Sequence, residues 1–179
     1  MENIKIRPVA LNDSDRLLEI YSYYVRETAV SFELEPPSAE EFAERVRRIS
    51  SHFPYLVAEE NGRLLGYAYA NIFKDRAAYD KCVEVTIYLD KDERGRGLGR
   101  MLYVALETAL AERGITNLYS CIGVPVSGET GFRIDRASER FHHRMGYDIC
   151  GEFHKCGYKF GHYYSMIWME KFLPPAAAE

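Results

Sequence analysis

The chain has no long hydrophobic run and few cysteines. No apolar stretch approaches the roughly 18 residues that a membrane-spanning helix needs, and the opening residues, MENIKIRPVA, lack the apolar core of a signal peptide. We therefore expect a cytoplasmic protein without a membrane partner. The four cysteines are spaced 39, 29 and 6 positions apart and fit no C-x2-C metal motif, so we expect free buried thiols and no metal site. They are Cys82, Cys121, Cys150 and Cys156.

The chain also has no excess of basic residues. Its 23 Lys and Arg against 27 Asp and Glu give a net charge of −4, which argues against a nucleic-acid partner because nonspecific binding needs a basic surface. Apolar residues at 47% and charged residues at 28% are close to globular averages and exclude intrinsic disorder. The length of 179 residues predicts one domain over residues 1–173, followed by a disordered tail over residues 174–179.

Hydrophobic periodicity predicts a mixed α/β fold built around one central sheet. The expected order is β-α-α-β-β-β-α-β-α-β, with one further strand left open at the end. The predicted strands are 3–9, a hairpin around Asn61-Gly62, 82–89, 117–123 and one or two strands within 147–172. The predicted helices begin at Asp13 or Ser14, at a capping box over 38–41, at 98 with a stop near Gly114, and at 136 with a stop at Gly146.

The strand predicted over 82–89 alternates strictly between two faces. Val83, Val85, Ile87 and Leu89 form an aliphatic row, and Glu84 lies on the opposite face. A carboxylate on a strand face has two interpretations. It either forms an ordinary ion pair with Arg or Lys, or it acts as a general base within a cleft.

A glycine-rich, arginine-rich segment lies between that strand and the next helix. It reads Arg94-Gly95-Arg96-Gly97-Leu98-Gly99-Arg100. Glycines allow backbone N–H groups to approach a ligand closely, and the start of a helix attracts anions, so the segment suits a pyrophosphate. The alternative is an ordinary turn with solvated arginines. The segment is neither a Walker loop, which needs a Lys, nor a dinucleotide G-x-G-x-x-G motif.

The spacing of Arg94, Gly97 and Gly99 resembles the [Gln/Arg]-x-x-Gly-x-[Gly/Ala] acetyl-CoA signature of the GNAT superfamily of N-acetyltransferases. Four segments are similar to its phosphinothricin and methionine sulfone/sulfoximine N-acetyltransferase branch. They are TAVSFE at 28–33, RAAY at 76–79 with Val83-Glu84, ASERFHH at 137–143 with Met145-Gly146-Tyr147, and GYKFG at 157–161. The resemblance covers about residues 3–172. It implies a mixed, mostly antiparallel sheet with a splayed fourth strand, flanked by helices.

The resemblance also implies roles for particular residues. Glu84 matches the general base and His142 the group that protonates the CoA thiolate, although a structural hydrogen bond is the alternative for His142. The backbone of Ile87, Tyr88 and Leu89 matches the site of the acetyl carbonyl. The acetyl-CoA site then comprises that backbone and residues 94–100, and Phe32, Glu33, Lys74, Arg76 and Tyr79 match the substrate-binding positions.

The function that the resemblance implies is acetyl transfer from acetyl-CoA to the primary amine of a small amino-acid-like molecule, by direct attack in a ternary complex, in a homodimer. The rivals are acetylation of a protein N-terminus or another amine, and a non-catalytic acyl-CoA sensor. Three departures from the branch leave the acceptor open. They are Asp135 in place of Asn, Lys74 in place of Arg, and a loop over 123–134 that is longer by about ten residues, which we expect at the substrate entrance or a dimer contact.

Overall fold

Seven strands form one sheet in the computed structural model, which describes residues 4–174. The strand order is β1-β2-β3-β4-β5-β7-β6, and the β4–β5 pair is parallel while the other five pairs are antiparallel. This confirms the predicted mixed, mostly antiparallel sheet and adds the final strand that the sequence left open. The strands are β1 (Lys5–Pro8), β2 (Tyr55–Glu60), β3 (Arg63–Ile72), β4 (Cys82–Leu89), β5 (Asn117–Pro125), β6 (Asp148–Lys159) and β7 (His162–Phe172).

Within residues 4–174, four helices flank the sheet, and they begin within one residue of the predicted positions. They are α1 (Ser14–Glu27), α2 (Ala39–Ser50), α3 (Leu98–Glu112) and α4 (Ala137–Arg144). Of these four, only α2 has a side-chain cap, and Asp13 makes no capping hydrogen bond to α1. Ser38 Oγ accepts a hydrogen bond from the Glu41 N–H at 3.1 Å, as the capping box predicts. None of the helices in residues 4–174 has the length and apolar character of a membrane span. The predicted tail lies outside the described residues except for Pro174.

The hairpin between β2 and β3 turns at Asn61-Gly62, where both φ angles are positive, at 52° and 81°. Positive φ at both central residues is the requirement of a type I′ turn, so the prediction made from this dipeptide is confirmed.

The helices divide between the two faces of the sheet. Helix α3 buries Leu98, Leu102, Leu106 and Leu110 in one core, which includes the aliphatic residues of β4. Each fully buried leucine contributes about 2 kcal/mol. Helices α1 and α2 pack on the other face against a tyrosine-rich core. The predicted alternation of β4 is therefore real, and it places Glu84 on the face opposite Val83 and Val85.

Strands β4 and β5 separate after three paired positions. The last pair is Glu84 with Tyr119, whereas β4 stays paired with β3 as far as Leu89. The expected splay of the fourth strand is thus confirmed. It opens a gap in the sheet next to Glu84.

The expectation of buried thiols is wrong for all four cysteines. All four are free; Cys82 is half-buried and the others are exposed. The reason is tertiary: Cys150 and Cys156 lie on β6, which is the edge strand of the sheet, and Cys121 lines the gap between β4 and β5.

Candidate active site

A cleft of about 440 Å³ occupies the gap between β4 and β5. The turn over 93–100 forms one end, and helices α3 and α4 form one wall. Of the predicted acetyl-CoA residues, nine line this cleft: Ile87, Tyr88, Leu89, Arg94, Gly95, Gly97, Leu98, Gly99 and Arg100.

The first two glycines of the turn leave open space where a side chain would be. Gly95 and Gly97 have φ angles of 78° and 79°, and a Cβ at either position would meet no atom within 4 Å. Gly97 is the N-cap of α3 and provides no side-chain hydrogen bond, and the first turn of the helix carries no acidic residue. The N–H groups at the start of α3 therefore remain available for an anionic ligand.

The third glycine serves packing instead. A Cβ at Gly99 would lie 3.0 Å from the ring of Phe141 on α4. Gly99 thus lets α4 approach α3 closely and fixes the wall of the cleft.

The three arginines of the turn differ in placement. Arg94 and Arg100 line the cleft and are exposed. Arg96 does not line it, because its guanidinium pairs with Glu60 at 2.6 Å and with Glu93. These ion pairs hold the Arg96 guanidinium outside the lining of the cleft, and its contribution of charge to a bound pyrophosphate stays a prediction.

Residues 87–89 line the cleft along the free side of β4. The strand is paired with β3 on one side through Leu89, while β5 has already diverged on the other. Backbone groups that point away from β3 therefore face the cleft without a ladder partner. The Leu89 carbonyl already accepts a hydrogen bond from the Tyr24 hydroxyl at 2.6 Å.

Glu84 lies where β4 and β5 begin to separate, and its side chain is half-buried. Burial raises the pKa of this carboxyl above its usual value of 4.5, and the positive charge of Lys74 opposes that shift. The surrounding protein and the negative charge of Glu84 raise the pKa of Cys121 to about 12. Cys121 therefore stays a thiol at neutral pH, which argues against it as a nucleophile.

His142 is buried in the wall of the cleft, with 1% of its surface exposed. Its Nδ1 lies 2.8 Å from the Ser138 carbonyl oxygen, and its Nε2 lies 2.9 Å from both the Tyr103 hydroxyl and Ser120 Oγ. A carbonyl only accepts, so Nδ1 carries the proton and Nε2 accepts a hydroxyl. Burial lowers the pKa of His142 to about 4.

A neutral His142 has no proton to donate into the cleft. Above its pKa the ring carries a single proton, which is bonded to Ser138. The structural interpretation of His142 fits this geometry, and its role as the group that protonates a thiolate stays a prediction. Tyr103 and Ser120, the two hydroxyl residues that contact Nε2, also line the cleft.

Comparison with known proteins agrees with this architecture. A family model described as an acetyltransferase (GNAT) domain matches residues 6–168. The chain belongs to the GNAT acetyltransferase family. It is 32% identical to a phosphinothricin N-acetyltransferase of Streptomyces viridochromogenes, over 97% of this chain and 90% of that protein. It is 30% identical to an L-methionine sulfoximine/L-methionine sulfone acetyltransferase of Pseudomonas paraeruginosa, over 95% of each chain.

A solved structure shows the same similarity in three dimensions. The phosphinothricin acetyltransferase of Sinorhizobium meliloti, in complex with acetyl-CoA, superposes with a TM-score of 0.85 at 30% identity, over 98% of this chain and 92% of that one.

The predicted substrate residues of this GNAT acetyltransferase fall into two groups. Phe32 and Glu33 lie in the segment between α1 and α2. The Phe32 ring packs so closely on Gly157 that a Cβ there would lie 2.5 Å from it. Glu33 Oε1 accepts a hydrogen bond from Arg45 at 2.6 Å, while its Oε2 is buried without a partner among residues 4–174.

Lys74, Arg76 and Tyr79 form the second group, in the segment between β3 and β4. Lys74 Nζ lies 5.2 Å from the centre of the Phe73 ring, and the Tyr79 ring contacts Phe73 edge-on at 5.8 Å. Arg76 is exposed at the start of a 3-10 turn over Ala77–Tyr79. The two groups are therefore on different segments, and Lys74 is the member whose charge acts on Glu84.

The long loop over residues 123–134 packs on the segment that contains Phe32 and Glu33. The Ala29 N–H donates to the Arg133 carbonyl at 3.0 Å, the Tyr164 hydroxyl donates to the Phe132 carbonyl at 3.0 Å, and Ile134 shares a small core with Ala29 and Tyr164. The loop thus holds the α1–α2 segment against β7, and its placement at the substrate entrance or a dimer contact stays a prediction.

Sequence reasoning missed several residues of the site. Tyr103 and Ser120 contact His142, and Phe73, Tyr119 and Trp168 form a ring cluster beside Glu84. Their positions are far apart in the chain, so no local spacing signals them. The alternation of β5 alone placed Tyr119 on one face without indicating what it meets.

Proposed function

We propose that this enzyme transfers an acetyl group from acetyl-CoA to the primary amine of a small amino-acid-like acceptor, by direct attack in a ternary complex. The observation that carries the proposal is the separation of β4 from β5 after Glu84, because it opens a cleft at the start of α3 and leaves a half-buried carboxylate at the point where the strands part. The names of the relatives with about 30% identity support an amino-acid-like acceptor.

The residues of the cleft fit acetyl-CoA. The N–H groups at the start of α3, together with Arg94 and Arg100, suit the pyrophosphate, and the space beside Gly95 and Gly97 admits it. The unpaired backbone of residues 87–89 suits the acetyl carbonyl oxygen, because N–H groups fixed by a strand need no reorganisation to bind it. Acetyl-CoA supplies an activated acetyl thioester when it is bound.

Glu84 removes the proton from the acceptor amine. A primary amine is protonated near neutral pH, and attack requires its lone pair. The raised pKa of Glu84 makes it a stronger base than an exposed carboxylate. The positive charge of Lys74 opposes this shift and favours the charged form of the carboxylate.

His142 acts as a positioning residue for two hydroxyl groups. Its single Nε2 lone pair accepts only one proton, although the hydroxyls of Tyr103 and Ser120 both lie 2.9 Å away. The other hydroxyl therefore donates elsewhere. The side chains of Tyr103 and Ser120 are also hydrogen-bonded to each other, and both residues line the cleft. In this role a hydroxyl, rather than the imidazole, faces the departing sulfur.

The enzyme forms a homodimer in this proposal, and β6 is its natural contact surface. The strand is the last of the sheet and exposes Ile149 and Phe153 to 47% and 54%. An uncovered edge strand with apolar side chains favours pairing with a second chain. Light scattering of the purified protein should give twice the mass of 20.7 kDa.

The test of the function is release of the CoA thiol with a panel of amines. The panel contains phosphinothricin, methionine sulfone and sulfoximine, common amino acids, polyamines, aminoglycosides and short peptides, with mass spectrometry of each product. We expect an N-acetyl product from an amino acid or its analogue. If only peptides or only aminoglycosides are acetylated, the proposed acceptor class is wrong and that class takes its place. Acetyl-CoA binding without turnover of any amine would indicate a sensor.

A further inference from the structure

Three half-buried aromatic rings form a surface beside Glu84, which we call the aromatic shelf: Phe73, Tyr119 and Trp168. The rings of Phe73 and Tyr119 stack with centres 4.3 Å apart and an interplanar angle of 17°. Trp168 meets Phe73 edge-on at 5.8 Å and 82°. Rings so arranged present a flat apolar surface that is only partly removed from solvent.

The register of the sheet places this shelf on the same face as Glu84. Glu84 is paired with Tyr119 across β4 and β5, and Cys121, two residues further, is paired with Trp168 across β5 and β7. Paired positions, and positions two residues apart, share a face. The side chains of Glu84 and Tyr119 are therefore neighbours on one face of the sheet, and an acceptor amine bound at Glu84 lies beside the shelf.

Charge is arranged around the shelf in a way that suits a zwitterion. Lys74 Nζ lies over Phe73 at 5.2 Å from the ring centre, and its positive charge also acts on Glu84. The carboxylate of Glu84 is thus available to bind the ammonium group of a ligand, and the ammonium group of Lys74 is available to bind the carboxylate of the same ligand. An α-amino acid carries both on one carbon, which leaves its side chain to contact the rings.

We infer that the preferred acceptors are free α-amino acids with flat aromatic side chains, such as phenylalanine, and that Phe73 and Trp168 determine this specificity. The inference rests on the proposed function and deepens it by naming the acceptor class. The amine binds at Glu84, the carboxylate at Lys74 and the ring on the shelf. A phosphinate or sulfone side chain finds rings where it needs hydrogen-bond donors, which costs binding energy.

The kinetic test compares kcat/KM for L-phenylalanine, L-tryptophan, L-alanine, methionine sulfone, phosphinothricin and 2-phenylethylamine, which lacks the carboxylate. We expect L-phenylalanine to exceed L-alanine by about 10- to 100-fold, since burial of an aromatic side chain is worth that much. Phe73→Leu and Trp168→Leu should lower kcat/KM for L-phenylalanine about tenfold and leave L-alanine within about twofold. The control is Tyr163→Leu, which removes a ring that is 56% exposed in the β6–β7 hairpin. It should leave kcat/KM unchanged for both L-phenylalanine and L-alanine.

A second measurement reads binding without turnover. Trp168 is the single tryptophan of the chain, so tryptophan fluorescence reports the shelf directly. With CoA present, L-phenylalanine should change the emission in a saturable way, and L-alanine should not. Phe73→Leu should weaken the response and Tyr163→Leu should preserve it.

The outcomes separate the inference from the proposed function. Faster turnover of phosphinothricin or methionine sulfone than of L-phenylalanine overturns the inference and leaves the proposed function intact. An equal fall in kcat/KM for all acceptors in Phe73→Leu also overturns the inference, because such a fall shows general damage to the enzyme rather than a change in specificity. Saturable fluorescence change without turnover supports the shelf and overturns the proposed function.

Discussion

Two regions beside the splay of β4 are built in different ways. Between α3, α4 and the sheet, His142 is buried and has a hydrogen-bond partner on each nitrogen, and the charges of Arg100 and Arg144 are exposed at the rim of the cleft. In the β3–β4 segment, outside the residues that line the cleft, the Phe73 ring is half-buried, and Lys74 and Tyr79 are exposed on a short irregular segment. The contrast indicates which region can serve a constant ligand and which region can change its specificity. A side that uses backbone N–H groups and packing can serve one constant ligand, whereas a side made of exposed side chains can change specificity without loss of the fold.

The largest effect should come from Gly97→Trp, which fills the acetyl-CoA side of the cleft. Gly97 has a φ of 79° and open space where its Cβ would be, so an indole there occupies the place of the pyrophosphate. We expect loss of measurable acetyl-CoA binding by calorimetry. Gly128→Trp is the control, because Gly128 has a φ of 81° and equally open space but lies outside the lining of the cleft. Equal affinity in both variants would show that the glycine turn is an ordinary turn.

A smaller effect should come from Glu84→Gln, which tests the acceptor side. The amide keeps the shape but cannot accept the proton, so kcat should fall about 10²- to 10⁴-fold while acetyl-CoA binding persists. In the wild type, kcat/KM should fall with acid below a pKa that lies above 4.5, because burial raises the pKa of Glu84 and protonation removes the base. This acid limb should disappear in the variant. An unchanged pH–rate profile for Glu84→Gln would contradict the role of base.

The smallest effect on catalysis should come from His142→Asn. This variant separates the contribution of His142 to folding stability from its contribution to the reaction. The folded pKa of about 4 lies below the ordinary value of 6.5, so the unfolded chain binds more protons between these values. Stability should therefore fall as the pH drops from 6.5 to 4, by about 3 kcal/mol from this group. Asn at this position should remove that component while kcat falls less than about tenfold.

Urea unfolding at several pH values measures this component as a difference between wild type and variant. His154→Asn is the control, because it removes an imidazole whose side chain is 74% exposed. A kcat loss as large as that of Glu84→Gln, together with an unchanged pH dependence of stability, would restore His142 as the proton donor.

Local sequence signals were sufficient for the elements of the fold. The Asn61-Gly62 turn, the Ser38 cap and the alternation of β4 each depend on neighbouring residues, and each is confirmed. The signature glycines were found for the same reason. Their separate uses were not, because the role of Gly99 depends on Phe141, more than forty positions away.

The same distinction explains what periodicity and spacing did not contain. Arg96 belongs to the signature by spacing, but Glu60 from the β2–β3 hairpin pairs with its guanidinium. All four cysteines were expected inside and none is buried; the position of β6 at the sheet edge exposes two of them, and the splay of β4 from β5 exposes Cys121. Edge position and splay are properties of strand order, which periodicity does not contain.

The sequence by itself determined the kinds of elements, the glycine-rich turn before α3 and the position of Glu84 on the face of β4 opposite Val83 and Val85. These follow from backbone preferences and periodicity over a few residues. The tertiary structure alone decided that His142 is neutral and that Phe73, Tyr119 and Trp168 meet beside Glu84. Proton affinity depends on desolvation and partners from other elements, and a contact surface depends on which strands become neighbours. Neither is written in the spacing of residues along the chain.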